Sequence, residues 1–216
     1  MRVRLIADDG RECLTATQVV ALLKDRHRVA NDHAQAIMDS GLVGVPIVDG
    51  GKRFYPASTV GELVGRANVD HEAVVNHGLL ADRLVFVARV RSHRKVDERS
   101  WIGWKEASKE EAAQQMAVGK WWTASERTVN EIERTLEEST KRGLSIPFVC
   151  TVGGVVAGCW DGVKVQRRQG QFGFELTRAG PWAADFEAHW LRTRPGSVWT
   201  WHDPNDPYVR SNLVRK

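Results

Sequence analysis

"GGKRFYPASTVGELVGR", residues 50–66, decides how the first part of this 216-residue chain is read. Gly50 and Gly51 follow Asp49 and carry the chemistry of a two-residue hairpin turn, because glycine takes the positive φ that such turns demand. Lys52, Arg53, Phe54 and Tyr55 then form the returning strand, closed by Pro56. Ser58 is placed to cap a helix whose apolar face is Val60, Leu63 and Val64. The stretch therefore sets two cations and two rings on a hairpin just ahead of a helix start. An ordinary hairpin edge and a contact surface share that pattern, so the flanking sequence has to separate them.

Upstream, "VRLIA" (3–7) reads as a short strand closed by Asp8, Asp9 and Gly10. In "LTATQVVALLKDR" (14–26), Thr15 with Gln18 three residues on has capping-box spacing, and Val19, Leu22 and Leu23 form a helical face. "VANDHAQAIMDSG" (29–41) repeats the helical period at Ala30, Ala34, Ile37 and Met38, with Gly41 as terminator. "VGVPIV" (43–48) supplies the strand that enters the hairpin. The order over residues 1–66 is strand, helix, helix, hairpin, short helix, which is a winged helix in outline.

Through "TATQVVALL", "IMDSG" and "GGKRFYPASTVGELV", residues 13–66 resemble the excisionase and MerR-type winged helix-turn-helix family. The resemblance implies a sequence-directed double-stranded DNA-binding regulator of the kind phages and mobile elements carry. On it, Lys52 and Arg53 contact phosphates, Tyr55 packs on the sugar-phosphate backbone, and Arg28, Asn31, His33 and Gln35 reach base edges from the second helix. The pattern departs from the family at "KDRHRVAND" (24–32), which contains no glycine and reads as a longer connection between the helices. The competing reading makes Phe54 core, Tyr55 edge and the polar residues a solvated rim.

Residues 67–82 form a connector without the Pro/Gly/Ser bias of a flexible linker. Residues 83–216 read as a mixed α/β domain with a small barrel or curled sheet, so the fold class is α+β overall. "RLVFVARVR" (83–91) is a strand, and "SKEEAAQQMAVG" (108–119) a short helix with a capping box at Ser108 and Glu111. In "SERTVNEIERTLEESTKRG" (125–143), Val129, Ile132 and Leu136 give an amphipathic helix ending at Gly143. "IPFVCTVGGVVAGCW" (146–160) is a strand pair around Gly153-Gly154, and "VKVQRRQGQFGFEL" (163–176) continues as a hairpin. With "GKWW" ahead of its helix, this region is loosely similar to PUA-like and ASCH-like modules. That likeness implies recognition of RNA or of a modified or flipped base, which makes a reader of modified or single-stranded nucleic acid the alternative function.

Charge divides the same way. Residues 1–82 carry 9 Lys+Arg against 11 Asp+Glu (−2), and residues 83–216 carry 22 against 16 (+6). All nine tryptophans lie after residue 100. Most must be core, because each buries a large apolar area, but one beside a cation makes a stacking platform. The expected basic face comprises Arg89, Arg91, Lys120, Arg167 and Arg168, with Trp121 or Trp122 at its edge. A protein-interaction or inhibitor module is the remaining alternative.

Cys13, Cys150 and Cys159 are odd in number and lack metal-pair spacing, so they read as reduced, buried residues of a cytoplasmic protein. The first residues meet charge too soon for a signal peptide, and no apolar run is long enough to span a membrane. No phosphate loop, nucleophile elbow or zinc motif occurs. His202, Asp203 and Asp206 sit in the turn-rich "WHDPNDPY" (201–208), and Asp161 and Glu175 lack the lysine of a nuclease site. The expectation is a non-enzymatic binding protein without cofactor or metal.

Overall fold

Thr15 opens the first helix as its spacing predicts. Its hydroxyl accepts from Gln18 N, and Gln18 Oε1 accepts from Thr15 N at 2.9 Å, so both halves of the capping box are made. The computed structural model in which this is seen describes residues 5–6, 10–76, 78–80, 83–95, 101–108, 110–193, 197–204 and 206. Parts of the strand expected at 3–7 and of the turn-rich 201–208 lie outside those residues.

Helix α1 (Ala16–His27) buries Val19 and Leu23, and α2 (Asn31–Ser40) buries Ala34, Ile37 and Met38. Only residues 28–30 join them. The long connection expected over 24–32 is therefore corrected: Arg28 adopts the left-handed conformation (φ 56°) that glycine usually supplies at a helix end. Arg28 accordingly caps α1 and does not belong to the second helix. Strands β1 (Leu5–Ile6), β2 (Glu12–Thr15), β3 (Ile47–Asp49) and β4 (Lys52–Pro56) form an antiparallel sheet in the order β1-β2-β4-β3. Gly50 and Gly51 turn the β3–β4 hairpin at φ 53° and 75°. Helix α3 (Ala57–Gly65) follows directly, with Pro56 at the cap position, so Ser58 lies inside the helix and does not cap it.

The larger sheet has six strands, in the order β10-β5-β7-β8-β9-β6. Strands β7 (Ile146–Val152), β8 (Val155–Arg168) and β9 (Gln171–Arg178) run as a meander through turns at Gly153-Gly154 and Gln169-Gly170. Strand β5 (Val85–Val90) pairs parallel with β7, β10 (Trp199–His202) lies antiparallel on β5, and β6 (Trp122–Thr123) lies antiparallel on β9. The sheet is curled. In a flat sheet β9 and β10 would stand about 19 Å apart, four spacings of about 4.8 Å. Yet the rings of Phe172 and Trp199, on those strands, have centroids 5.6 Å apart. The result is a mixed α/β half-barrel.

Phe86, Phe148, Trp160 and Phe174 line the concave face, where Val129, Ile132 and Leu136 of α6 (Glu126–Lys141) pack. Val85, Val87, Val149 and Cys159 on the convex face pack against Trp182 and Phe186, in and after the 3-10 turn Pro181–Asp185, and Val74 of α4 (His71–Asn76). Helix α5 (Glu111–Gly119) packs along β9. It begins three residues past the expected Ser108 cap, whose hydroxyl instead accepts from Glu110 N at 3.3 Å.

The two sheets meet through α2 and Trp190. Val19, Ile37 and Leu63 share one apolar core with Phe86, Val152 and Trp190. The β7–β8 turn abuts α2 so closely that a Cβ on Gly153 would stand 2.8 Å from Ile37 Cδ1 and 3.0 Å from the His33 carbonyl oxygen. The indole of Trp190 stacks on His27 (centroids 3.9 Å apart, 14° between planes) and donates to the Leu63 carbonyl at 3.1 Å. Within the connecting residues 67–82, Val69, Val74 and Leu80 are buried, and Asp70 caps α4 by accepting from Glu72 N and Ala73 N. Cys13, Cys150 and Cys159 are buried free thiols, and burial pushes the latter two further from the thiolate form. Among the described residues, no helix is long and apolar enough to cross a membrane.

Candidate nucleic-acid interface

Two exposed surfaces carry several of the candidate residues. On α2, Asn31, Gln35 and Asp39 fall four residues apart and form one exposed stripe. Its end meets the hairpin: Gln35 Nε2 and Arg53 NH1 both donate to Asp39 Oδ1, each at 2.9 Å. The Tyr55 hydroxyl and the Asp39 carboxylate both favour the charged form of Arg53. Lys52 is exposed beside it. His33 lies off this stripe, with its carbonyl against the β7–β8 turn and its ring exposed, 3.9 Å from Asp32.

Tyr55 corrects the expectation of a ring laid against a sugar-phosphate backbone. It is 1% exposed, while Phe54 is only partly buried. Alternation along β4 gives the two rings opposite faces, and the Tyr55 face packs into the core. Its ring belongs to the apolar core shared with α1, α2 and α3.

Alternation also divides the cations of β8. Arg167 pairs in register with the core residue Phe172, so it points to the concave side. There Arg167 NH1 donates to Glu126, Arg167 Nε donates to Glu133 Oε1 at 2.7 Å and Arg167 NH2 to Glu133 Oε2 at 2.6 Å, clamping α6 to the strand. The guanidinium in turn holds the Glu133 carboxyl below its ordinary range. This removes Arg167 from the expected polyanion face. Arg168 points outward, its guanidinium carbon 5.8 Å from the centre of the Trp121 ring, and Lys120 Nζ is 5.6 Å from the same ring. Trp122 pairs with Phe172 and takes the concave side, where its Nε1 is buried without a protein partner.

Arg89 and Arg91 do not join them. Strand β7 lies between β5 and β8, so the strands that carry Arg89 and Arg168 are not neighbours. Arg89 is half-buried: its Nε donates to Thr193 Oγ1 at 3.0 Å and its NH1 to the Ser197 carbonyl at 2.7 Å. Arg91 is exposed beyond the end of β5.

Two polar clusters lie apart from these surfaces. Asp161 accepts from Ser145 Oγ at 2.6 Å, Trp182 Nε1 at 3.0 Å and Gly180 N at 2.9 Å, tying β8 to the loops on either side. His202 is buried against His71, with 3.3 Å between ring nitrogens, and burial first, then the neighbouring imidazole, pushes its pKa down to about 3. No local pattern pairs histidines 131 residues apart. Among the described residues, no group of three or more His, Cys, Asp and Glu side chains is placed to hold a metal ion. Sequence reasoning also missed Asp39 and Lys164, whose positions become meaningful only beside Arg53 and Arg168. The chain matches no protein-family model, no curated protein and no solved structure.

Proposed function

We propose that the protein binds double-stranded DNA by laying α2 in the major groove and the β3–β4 hairpin against the flanking backbone, as a winged helix does. The observation that carries this reading is the convergence at Asp39: the exposed Asn31–Gln35 stripe on α2 runs directly into Arg53 of the hairpin. The three-residue connection 28–30 supports it by bringing α2 close behind α1, within the reach of a tight helix-turn-helix.

Each residue then has a role set by its chemistry. Asn31 and Gln35 carry the amide groups that pair bidentately with adenine. Lys52 and Arg53 contact phosphates, and Arg28, exposed at the end of α1, reaches the backbone beside the α2 start. Asp39 orients Arg53 but also faces the duplex with a carboxylate. That weakens binding to arbitrary sequence and leaves the base contacts to select the site.

Fluorescence anisotropy on a duplex selected from a random library tests the reading. Each cation on a phosphate adds about 0.9 to the slope of log affinity against log salt, so Lys52→Ala with Arg53→Ala should flatten that slope by about 2. Asn31→Ala with Gln35→Ala should leave the slope in place and erase the preference for the selected sequence. Unchanged affinity and slope in the hairpin double variant would overturn the proposal.

A further inference from the structure

We infer a second site, for single-stranded nucleic acid, on the outer face of the β8–β9 end of the half-barrel, with Trp121 as the surface on which a base stacks. It is independent of the duplex-binding proposal. The Val155 end of β8 begins at the turn docked on α2, and the strand then runs 14 residues to Arg168. At about 3.3 Å per residue that is roughly 40 Å of strand contour, so the two surfaces sit at opposite ends of it.

The side of the sheet is fixed by Arg167. Because Arg167 turns inward to α6, Lys164, Gln166 and Arg168 share the outer face, and all three are at least partly exposed. On the adjoining strand their register partners are Glu175, Gly173 and Gln171. Gly173 gives the face its shape. A Cβ there would come within 2.7 Å of Lys120 Cγ and 2.9 Å of the Gly119 carbonyl oxygen, so the missing side chain lets the Lys120 stem lie flat against the sheet. Lys120 in turn carries Trp121 to the edge, where Arg168 and Lys120 both lie near its ring.

Among the described residues, Lys120, Lys164 and Arg168 lie on this face with Glu175 around a partly exposed indole. Phosphates answer the cations, but a duplex keeps its bases stacked on one another and offers no free π-face. An unstacked base fits both features: its ring lies on Trp121 while the adjacent backbone follows the cations along β8. A purely electrostatic partner would leave the indole without a role.

The test uses the full chain and a fluorescein-labelled oligothymidine of about 15 nucleotides, in anisotropy titrations at low and moderate salt, with an abasic oligomer of the same length and heparin as comparators. Trp121→Ala should weaken oligothymidine binding about tenfold, the scale of one base–aromatic stack. Trp121→Phe should restore most of it. Lys164→Ala with Arg168→Ala, both exposed side chains, should lower the salt slope by about 1.4, at about 0.7 per phosphate on a single strand. Unlabelled duplex should compete poorly. Equal affinity for the abasic oligomer or heparin, or no effect of Trp121→Ala and the double variant on a chain whose melting is unchanged, would overturn the inference. So would the absence of oligothymidine binding at low salt.

Discussion

Replacing Trp190 with alanine is the sharpest test of how the molecule is held together. The side chain is 3% exposed, stacks on His27 and donates to the Leu63 carbonyl, while its backbone accepts from Val69 N and donates to Ala67 O, both at 2.8 Å. Truncating a buried tryptophan costs about 3–5 kcal/mol through reduced burial and the cavity left behind. Removing the indole hydrogen bond adds little, because Leu63 O keeps a second donor in Arg66 N. The backbone bonds survive the substitution, so the expected loss stays at about 3–5 kcal/mol, a large part of the stability of an ordinary domain. Trp190→Phe keeps an aromatic plane over His27 and should cost about half as much. Urea denaturation at pH 7.5, followed by circular dichroism, measures both. Limited proteolysis reads the location: cleavage within residues 67–82 should be slow in the parent and fast in Trp190→Ala. A loss below about 1 kcal/mol, or unchanged cleavage there, would refute the view that Trp190 locks the amino-terminal elements to the half-barrel.

Two further outcomes follow from the buried polar clusters. The folded pKa of His202 lies near 3, below the ordinary imidazole value of 6.5, so the unfolded chain takes up the proton first as pH falls. Stability is then complete above about pH 6.5 and drops by about 2 kcal/mol between pH 7 and pH 5. His202→Gln should remove most of that slope, and a slope unchanged in the variant would refute the assignment. Asp161→Ala strips the acceptor from Ser145 Oγ, Trp182 Nε1 and Gly180 N. At about 1 kcal/mol for each donor left unpaired in this partly buried site, it should lower stability by about 3 kcal/mol. Calorimetry would show that as a fall in melting temperature of about 6–12 °C, and a fall under 2 °C would argue against the network.

The sequence determined by itself whatever depends on residues close along the chain. The Thr15–Gln18 capping box, the glycine turns at 50–51 and 153–154, and the Val129–Ile132–Leu136 stripe all stand where their spacing puts them, because each is satisfied within a few residues. The same locality explains the misses at Ser108 and Ser58: a capping pattern was present, but packing started each helix elsewhere. Sheet order, by contrast, depends on how distant segments close on one another. The parallel pairing of β5 with β7 separates Arg89 and Arg91 from Arg168, and no spacing along the chain encodes it. Alternation showed that Arg167 and Arg168 oppose each other, but only the packing of α6 says which of them faces inward. Tyr55 and Phe54 divide for the same reason, since either ring suits a strand and the core takes the face that α1 and α2 leave open. His71 and His202, and Trp190 over His27, meet across 131 and 163 positions. Such pairings are set by the closure of the whole core, whose free energy belongs to the packed chain and to no segment of it.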